Sequence, residues 1–141
     1  MDRYNAEKYP DPTAAEALEN VAREEKAKLK EYSPLVYICS PFAGETEHHI
    51  NRARGYCRFA VSRGYIPLAP HLHFPQFLDD SDHEQRELGL YFALALLRKC
   101  EELWVFGRKV SDGMAWEINK AKQRGMPIRY FTEKCEEVPE T

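Results

Sequence analysis

The chain carries a run of five β-forming residues, Leu35-Val36-Tyr37-Ile38-Cys39, followed at once by the loop Ser40-Pro41-Phe42-Ala43-Gly44. A continuous apolar run without polar alternation is typical of a strand buried on both faces of a parallel sheet. Serine, proline and glycine then break the pattern, so we expect the strand to end at Cys39.

Three more apolar segments follow. Each is preceded by a segment whose apolar residues recur at helical spacing. The predicted strands cover residues 65–69, 103–106 and 127–131, and the predicted helices end near residues 64, 99 and 124. Residues 70–82 are interpreted as a long polar and aromatic loop, and residues after Thr132 as frayed. Strands that alternate with helices favour an α/β protein, in which helices cover both faces of a parallel sheet of four or five strands.

The first part of the chain has a different composition, rich in Lys, Glu and Ala. Asp11-Pro12 is typical of a helix start, and residues 12–30 are predicted to form a helix. Its apolar stripe is thin, which indicates an appended helix that docks loosely or bridges to a partner. The predicted organisation is therefore a helical extension over residues 1–34, a domain over 35–135 and an acidic tail over 136–141.

Composition excludes several functional classes. The chain of 141 residues has a formal charge of −3, which argues against binding of bulk nucleic acid. The N-terminal residues are polar, so we expect no signal peptide, and the longest apolar stretch is too short to span a membrane. No pair of cysteines is spaced as CxxC, so we expect free thiols in a reducing, cytoplasmic compartment. These cysteines are Cys39, Cys57, Cys100 and Cys135.

The helix over residues 83–99 is apolar on most of its circumference, whereas packing on a sheet needs only a stripe. We expect the sheet to be covered by Leu88, Tyr91, Phe92, Ala95 and Leu96. This orientation of the helix leaves Leu90, Leu94 and Leu97 free to contact another surface. It predicts a homo-oligomer, most simply a dimer. The rival explanation is that the N-terminal segment covers these leucines.

Ligands of open parallel sheets bind outside the carboxyl ends of the strands. Three predicted loops leave those ends, over residues 40–44, 70–80 and 107–113. The turn before the last helix is either an anion site or an ordinary N-cap. The candidate substrate-binding residues are Ser40, Pro41, Phe42, His71, Asp79, Asp80, Ser111, Gly113 and Met114.

Glu117 is the most informative polar residue. It lies three residues after Met114 and four before Ala121, and these two belong to the stripe expected to face the sheet. With Asp112 taken as the N-cap, Glu117 is also too far along the helix for a capping box. It is therefore either a flanking residue that reaches water or a carboxylate aimed into the cleft above the sheet, able to attack an electrophilic carbon.

Known cofactor and metal motifs are missing from the sequence. There is no GxGxxG, no P-loop, no GxSxG elbow and no HExxH, so we predict neither a cofactor nor a metal.

Two motifs resemble the nucleoside 2-deoxyribosyltransferase-like superfamily, which includes deoxynucleotide N-hydrolases and related uncharacterised domain families. They are Leu35-Val36-Tyr37-Ile38-Cys39-Ser40-Pro41-Phe42 and Ser111-Asp112-Gly113-Met114-Ala115-Trp116-Glu117, with Leu103-Trp104-Val105-Phe106-Gly107 as the strand before the second. The resemblance covers residues 35–131, and the uncharacterised families are the closer match. It implies a flavodoxin-like three-layer sandwich.

The resemblance also implies chemistry on the N-glycosidic bond of a nucleoside or nucleotide. Glu117 would attack C1′ of the sugar with Tyr37 beside it, and Asp112 would bind the sugar or assist the leaving base. Ser111 and Gly113 would hold a 5′ group. Cleavage of a glycosidic bond needs a carboxylate near an oxocarbenium-like centre and an acid for the leaving group. Asp79, Asp80 and Asp112 are the candidate acids at this end of the sheet. The alternative is a non-catalytic nucleotide-binding module or interaction domain of the same fold.

Overall fold

A computed structural model of the chain describes residues 14–30, 33–42 and 44–139. The chain divides into two compact units, residues 1–33 and 34–141. In the first unit, helix α1 spans Ala14–Lys30, and its Leu18 and Val21 side chains are exposed. The predicted helix start at Asp11-Pro12 lies outside the described residues. No helix in the described ranges is long and apolar enough to cross a membrane.

The second unit alternates strands and helices around one five-stranded sheet. Its elements are β1 (Leu35–Cys39), α2 (Thr46–Ser62), β2 (Ile66–Leu68), α3 (Pro70–His73), a 3₁₀ turn (Phe74–Gln76), α4 (His83–Leu97), β3 (Glu102–Phe106), α5 (Asp112–Gln123), β4 (Ile128–Phe131) and β5 (Glu137–Val138). The strand order is β2-β1-β3-β4-β5; the first four strands are parallel, and β5 is antiparallel to β4. This order is that of the flavodoxin-like sandwich, so the predicted fold is confirmed.

Period-two alternation along β1 and β3 divides the core between the two faces of the sheet. On one face, Val36, Ile38, Trp104 and Phe106 pack with Phe131 and with α2. On the other face, residues of β1 and β3 pack with α4 and α5, and these residues are Tyr37, Cys39, Leu103 and Val105. The fold therefore places Tyr37 and Cys39 beneath α5, at the point where the strand order reverses between β1 and β3.

Two segments that were predicted to be irregular contain regular structure. Residues 70–82 include α3 and the 3₁₀ turn, because Pro70 is preorganised for the first helical turn. Within the described residues 133–139 the chain is not frayed, since Glu137–Val138 pairs with β4. A two-residue strand is too short to leave any periodic signal in the sequence.

The prediction of which face of α4 covers the sheet is wrong. Leu97 is only 1% exposed and lies in the core with Leu94 packed against it, whereas Leu88 and Tyr91 are 43% and 63% exposed. Since this helix is apolar around its circumference, sequence periodicity could not show which stripe meets the sheet. The apolar surface that α4 exposes in the described structure is therefore formed by Leu88, Leu90 and Tyr91.

Arg129 joins the last two strands on the α2 face. Its guanidinium donates to both carboxylate oxygens of Glu137 at 2.9 and 2.8 Å, and it lies 5.1 Å from the ring centroid of Trp104. A planar guanidinium can make the paired hydrogen bonds and stack on the ring at once. Arg129 therefore connects β5 to the aromatic core.

We predict that Arg129→Lys lowers the free energy of unfolding by about 1 kcal/mol, because an ammonium group cannot make the paired bonds. Amide hydrogen exchange at Glu137 and Val138 should accelerate, while exchange in β1 should change little. Arg58→Lys on the exposed side of α2 is the matched control. Unchanged exchange in β5 would show that Arg129 does not hold this strand.

Candidate active site

Glu117 faces the sheet from the second turn of α5. Ser111, rather than Asp112, is the N-cap of this helix, because its hydroxyl accepts a hydrogen bond from the Met114 amide at 3.2 Å. Met114 and Ala121 are 2% and 0% exposed. Since Glu117 is spaced three and four residues from them, it shares their face of the helix.

The carboxylate of Glu117 meets the side chains of β1. The Tyr37 hydroxyl, which is fully buried, donates a hydrogen bond to Oε2 of Glu117. Cys39 projects from the same face of β1 two residues later, and its thiol lies 3.9 Å from the backbone oxygen of Met114, one turn before Glu117. The hydrogen bond from Tyr37 gives the carboxylate a defined orientation.

Burial controls the ionisation of this group. Desolvation raises the pKa of Glu117 to about 7, although the neighbouring side chains of Tyr37 and Cys39 lower it. The pKa values of Tyr37 and Cys39 are raised well above their ordinary values, through burial and through the charge of Glu117. At neutral pH, Glu117 is therefore poised between its acid and its ionised form, while both neighbours stay protonated.

A second group of polar residues lies where the chain leaves β1. The Ser40 hydroxyl, which is buried, lies 3.2 Å from Nε2 of His71 on α3. The ring of Phe42 lies 5.5 Å from that of His71, and the backbone oxygen of Phe42 accepts a hydrogen bond from Nδ1 of His49 at 3.1 Å. Burial, with the charge of His49, lowers the pKa of His71 to about 4, so this histidine is neutral at pH 7.

Other residues from the sequence prediction lie apart from these contacts. Asp79 and Asp80 are exposed, and Asp79 accepts hydrogen bonds from the amide and hydroxyl of Ser81. These two bonds lower the pKa of Asp79. Asp112 and Gly113 are exposed at the start of α5, and Pro41 is half-buried. Met114 is a core residue.

Trp116 directs its ring along the helix, where it stacks with Lys120 at 5.8 Å from the ring centroid. The bulky residue before the glutamate is therefore engaged on α5 itself. Among the described residues, no group of three or more His, Cys, Asp or Glu side chains is arranged to hold a metal ion.

Cys39 and His49 are the polar neighbours that the sequence analysis did not single out for this site. Cys39 was detectable, because its alternation with Tyr37 on a strand assigns both to one face. His49 lies on α2, and no pattern in the sequence connects it to the backbone of Phe42.

The family model for a domain of unknown function, DUF7768, matches residues 34–131. The fold is that of a flavodoxin-like α/β domain, and within this class the chain belongs to the DUF7768 family. A solved structure similar to it is a 2-deoxyribosyltransferase from the psychrotolerant bacterium Bacillus psychrosaccharolyticus, with a TM-score of 0.55 and 21% sequence identity. The match covers 74% of this chain and 77% of that chain. No curated protein matches the chain. The resemblance is thus confirmed as a distant relationship in fold.

The raised pKa of Glu117 has a consequence for stability. A carboxyl whose pKa is higher in the folded state than in the unfolded state stabilises the fold fully below about pH 4.5, and this contribution is lost as pH rises towards 7. We predict that Glu117→Gln, which cannot ionise, is more stable than wild type at pH 8 by at most about 3 kcal/mol. The difference should shrink towards pH 4.5.

Chemical denaturation of both proteins across this pH range measures the effect. Glu136→Gln is the matched control, because Glu136 is exposed and this substitution makes the same chemical change away from the site. If Glu117→Gln differs from wild type by the same amount at pH 4.5 and pH 8, the carboxyl of Glu117 does not have the raised pKa.

Proposed function

We propose that this protein cleaves the N-glycosidic bond of a nucleoside or nucleotide, by hydrolysis or by 2-deoxyribosyl transfer, with Glu117 as the nucleophile. The observation that carries the proposal is the carboxylate of half-buried Glu117, held by the Tyr37 hydroxyl next to the point where the strand order reverses. Ligand sites of open α/β sheets occur at that point. The fold of the similar 2-deoxyribosyltransferase supports the same substrate class.

In the proposed reaction, ionised Glu117 attacks C1′ of the sugar while the bond from C1′ to the base nitrogen breaks. The base leaves with the bonding electron pair and takes up a proton. Water, or a second base, then attacks C1′ of the glycosyl ester and releases Glu117 as a carboxylate. Because Tyr37 binds Oε2, the other oxygen is available to the anomeric carbon, and the carboxylate also stabilises the oxocarbenium-like transition state.

The leaving base needs a hydrogen-bond donor or an acid. We assign Asp112 to the sugar or the leaving base. We assign buried Ser40, half-buried His71 and Phe42 to the wall of the binding site. Asp79 and Asp80 remain candidates for substrate contact, although the carboxylate of Asp79 is already engaged by Ser81.

We expect the protein to release free base from at least one member of a panel of nucleosides and nucleoside monophosphates, read by chromatography. Activity should rise with pH through about 7, because the nucleophile must be ionised. Glu117→Gln should lower kcat by about a thousandfold or more while it retains affinity, and Glu136→Gln should act as wild type. Near-normal turnover by Glu117→Gln would exclude this residue as the nucleophile.

We propose that the substrate carries a 5′-phosphate held by Ser111 and Gly113. The N-terminal amides of α5 favour an anion, and Arg108 and Lys109 are exposed in the preceding turn. A nucleoside monophosphate should compete better than its nucleoside, and the double substitution Arg108→Ala with Lys109→Ala should reduce that preference. Equal affinity of both ligands at low salt would remove the phosphate from the proposal.

One observation supports the alternative of a binding module without turnover. Two surface cavities in the described part of the chain are lined by residues 75–80 with Gln85 and by residues 45–48 with Asn51, and Glu117 lines neither. Saturable binding of a nucleotide without release of base, in wild type and Glu117→Gln alike, would favour this alternative.

We also propose that the protein forms a homo-oligomer, most simply a dimer, through the exposed apolar surface of Leu88, Leu90 and Tyr91. Light scattering at micromolar concentration should give a multiple of the 16.4 kDa chain mass. Tyr91→Glu should shift the mass towards the monomer, whereas Val61→Glu, at a comparably exposed apolar position on α2, should not. A monomeric wild type would exclude the oligomer.

A further inference from the structure

His49 lies at the start of α2 and contacts the loop that leaves β1, but the proposed reaction assigns it no role. Its Nδ1 lies 3.1 Å from the backbone oxygen of Phe42. The ring of Phe42 in turn lies 5.5 Å from that of His71, whose Nε2 lies 3.2 Å from the Ser40 hydroxyl. His49 is therefore connected through Phe42 to the other two residues assigned to the wall of the binding site.

The loop is anchored on either side of Phe42. At one end, Ser40 is buried directly after β1. At the other end, the backbone oxygen of Gly44 accepts hydrogen bonds from the amide and the hydroxyl of Thr46, at 2.6 and 3.1 Å. Gly44 has a φ of +89°, a left-handed conformation that glycine adopts at little cost. Between these two anchors, the hydrogen bond from His49 fixes the Phe42 peptide relative to α2.

The acceptor determines where His49 carries its proton. A carbonyl oxygen has no hydrogen, so the ring nitrogen that faces it has to donate, and Nδ1 of His49 is protonated. A second proton on Nε2 would leave this bond in place, because both nitrogens of an ionised imidazole are donors. The contact thus requires a donor at the Nδ1 position and does not require a charge.

We propose that His49 is a positioning residue whose Nδ1–H holds the Phe42 carbonyl, keeps the Phe42 ring against His71, and so forms the wall of the site before a ligand binds. A loop that is already ordered lowers the entropic cost of ligand binding. Because the proposed chemistry takes place at Glu117, the contact should contribute to affinity and not to the chemical step. That consequence rests on the proposed function, but the positioning of Phe42 does not.

Nuclear magnetic resonance of the wild-type protein without ligand tests the positioning directly. We expect the ¹⁵N shifts of a protonated Nδ1 for His49 at pH 8, and Overhauser contacts between the rings of Phe42 and His71. His49→Ala should lose these ring contacts, whereas His83→Ala, at an exposed histidine of α4, should retain them. A proton on Nε2 alone in wild type, or unchanged ring contacts in His49→Ala, would overturn the proposal.

Two amide substitutions separate a donor at Nδ1 from a donor at Nε2. Asparagine places its NH₂ group as many bonds from Cβ as Nδ1, whereas the NH₂ group of glutamine reaches the position of Nε2. His49→Asn should therefore retain the ring contacts of Phe42 and His71, and His49→Gln should lose them. This comparison decides the question even if His49→Ala does not fold. Ring contacts that survive with glutamine but not with asparagine would contradict the proposal.

The effect on affinity is read from the kinetic constants of any nucleoside or nucleoside monophosphate in the panel that releases base. His49→Gln should raise KM about fivefold, the worth of one neutral hydrogen bond, and leave kcat within about twofold of wild type. His49→Asn should match wild type in both constants. A fall in kcat at unchanged KM would contradict a positioning role.

The two proposals can fail separately. Ring contacts that follow the donor at Nδ1, with no base released from any member of the panel, would support the role of His49 and exclude the proposed reaction. Base release with ring contacts that are the same in every variant would support the reaction and exclude the role of His49.

Discussion

A carboxyl group buried against a sheet is costly unless donors meet it, and the hydrogen bond from Tyr37 to Glu117 satisfies this need. The bond joins β1 to α5 across 80 positions of the chain. It orients one carboxylate oxygen, while burial raises the pKa of the group to about 7. An ordinary core would place an apolar side chain here, since an apolar residue stabilises without the penalty of charge burial. A retained buried carboxylate is therefore better explained by chemistry than by folding.

The strand order of the sheet brings these residues together. β1 and β3 are neighbours, but their crossovers leave on opposite sides, so the carboxyl ends of both strands open onto one crevice. The N-terminus of α5 begins there, directly after β3. Glu117, Tyr37 and Cys39 are then fixed by two periodicities, that of the helix and that of the strand. Ser40 and His71 bound the same end of β1 from the loop and from α3.

Regular patterns explain what could be predicted from the sequence. The buried strands are continuous apolar runs, and the phase of α5 follows from Met114 and Ala121, so the direction of Glu117 was predictable. The phase of α4 was not, because a helix that is apolar all round has no preferred face. The Ser40 and His71 contact joins a loop to the one-turn helix α3 across 31 positions of the chain, and β5 depends on the tertiary contact of Arg129 with Glu137. Neither leaves a periodic trace in the sequence.

In the proposed reaction, Glu117 forms a covalent bond to the sugar. Fluorine at C2′ of a nucleoside destabilises the oxocarbenium-like transition states and therefore slows both formation and breakdown of the glycosyl enzyme. A good leaving base still lets the first step proceed, so the glycosyl enzyme accumulates. Mass spectrometry of the intact protein should then show the added mass of one fluorinated sugar, and peptide mapping should locate it on Glu117. Release of base with no adduct on Glu117, or an adduct at another residue, would contradict the account.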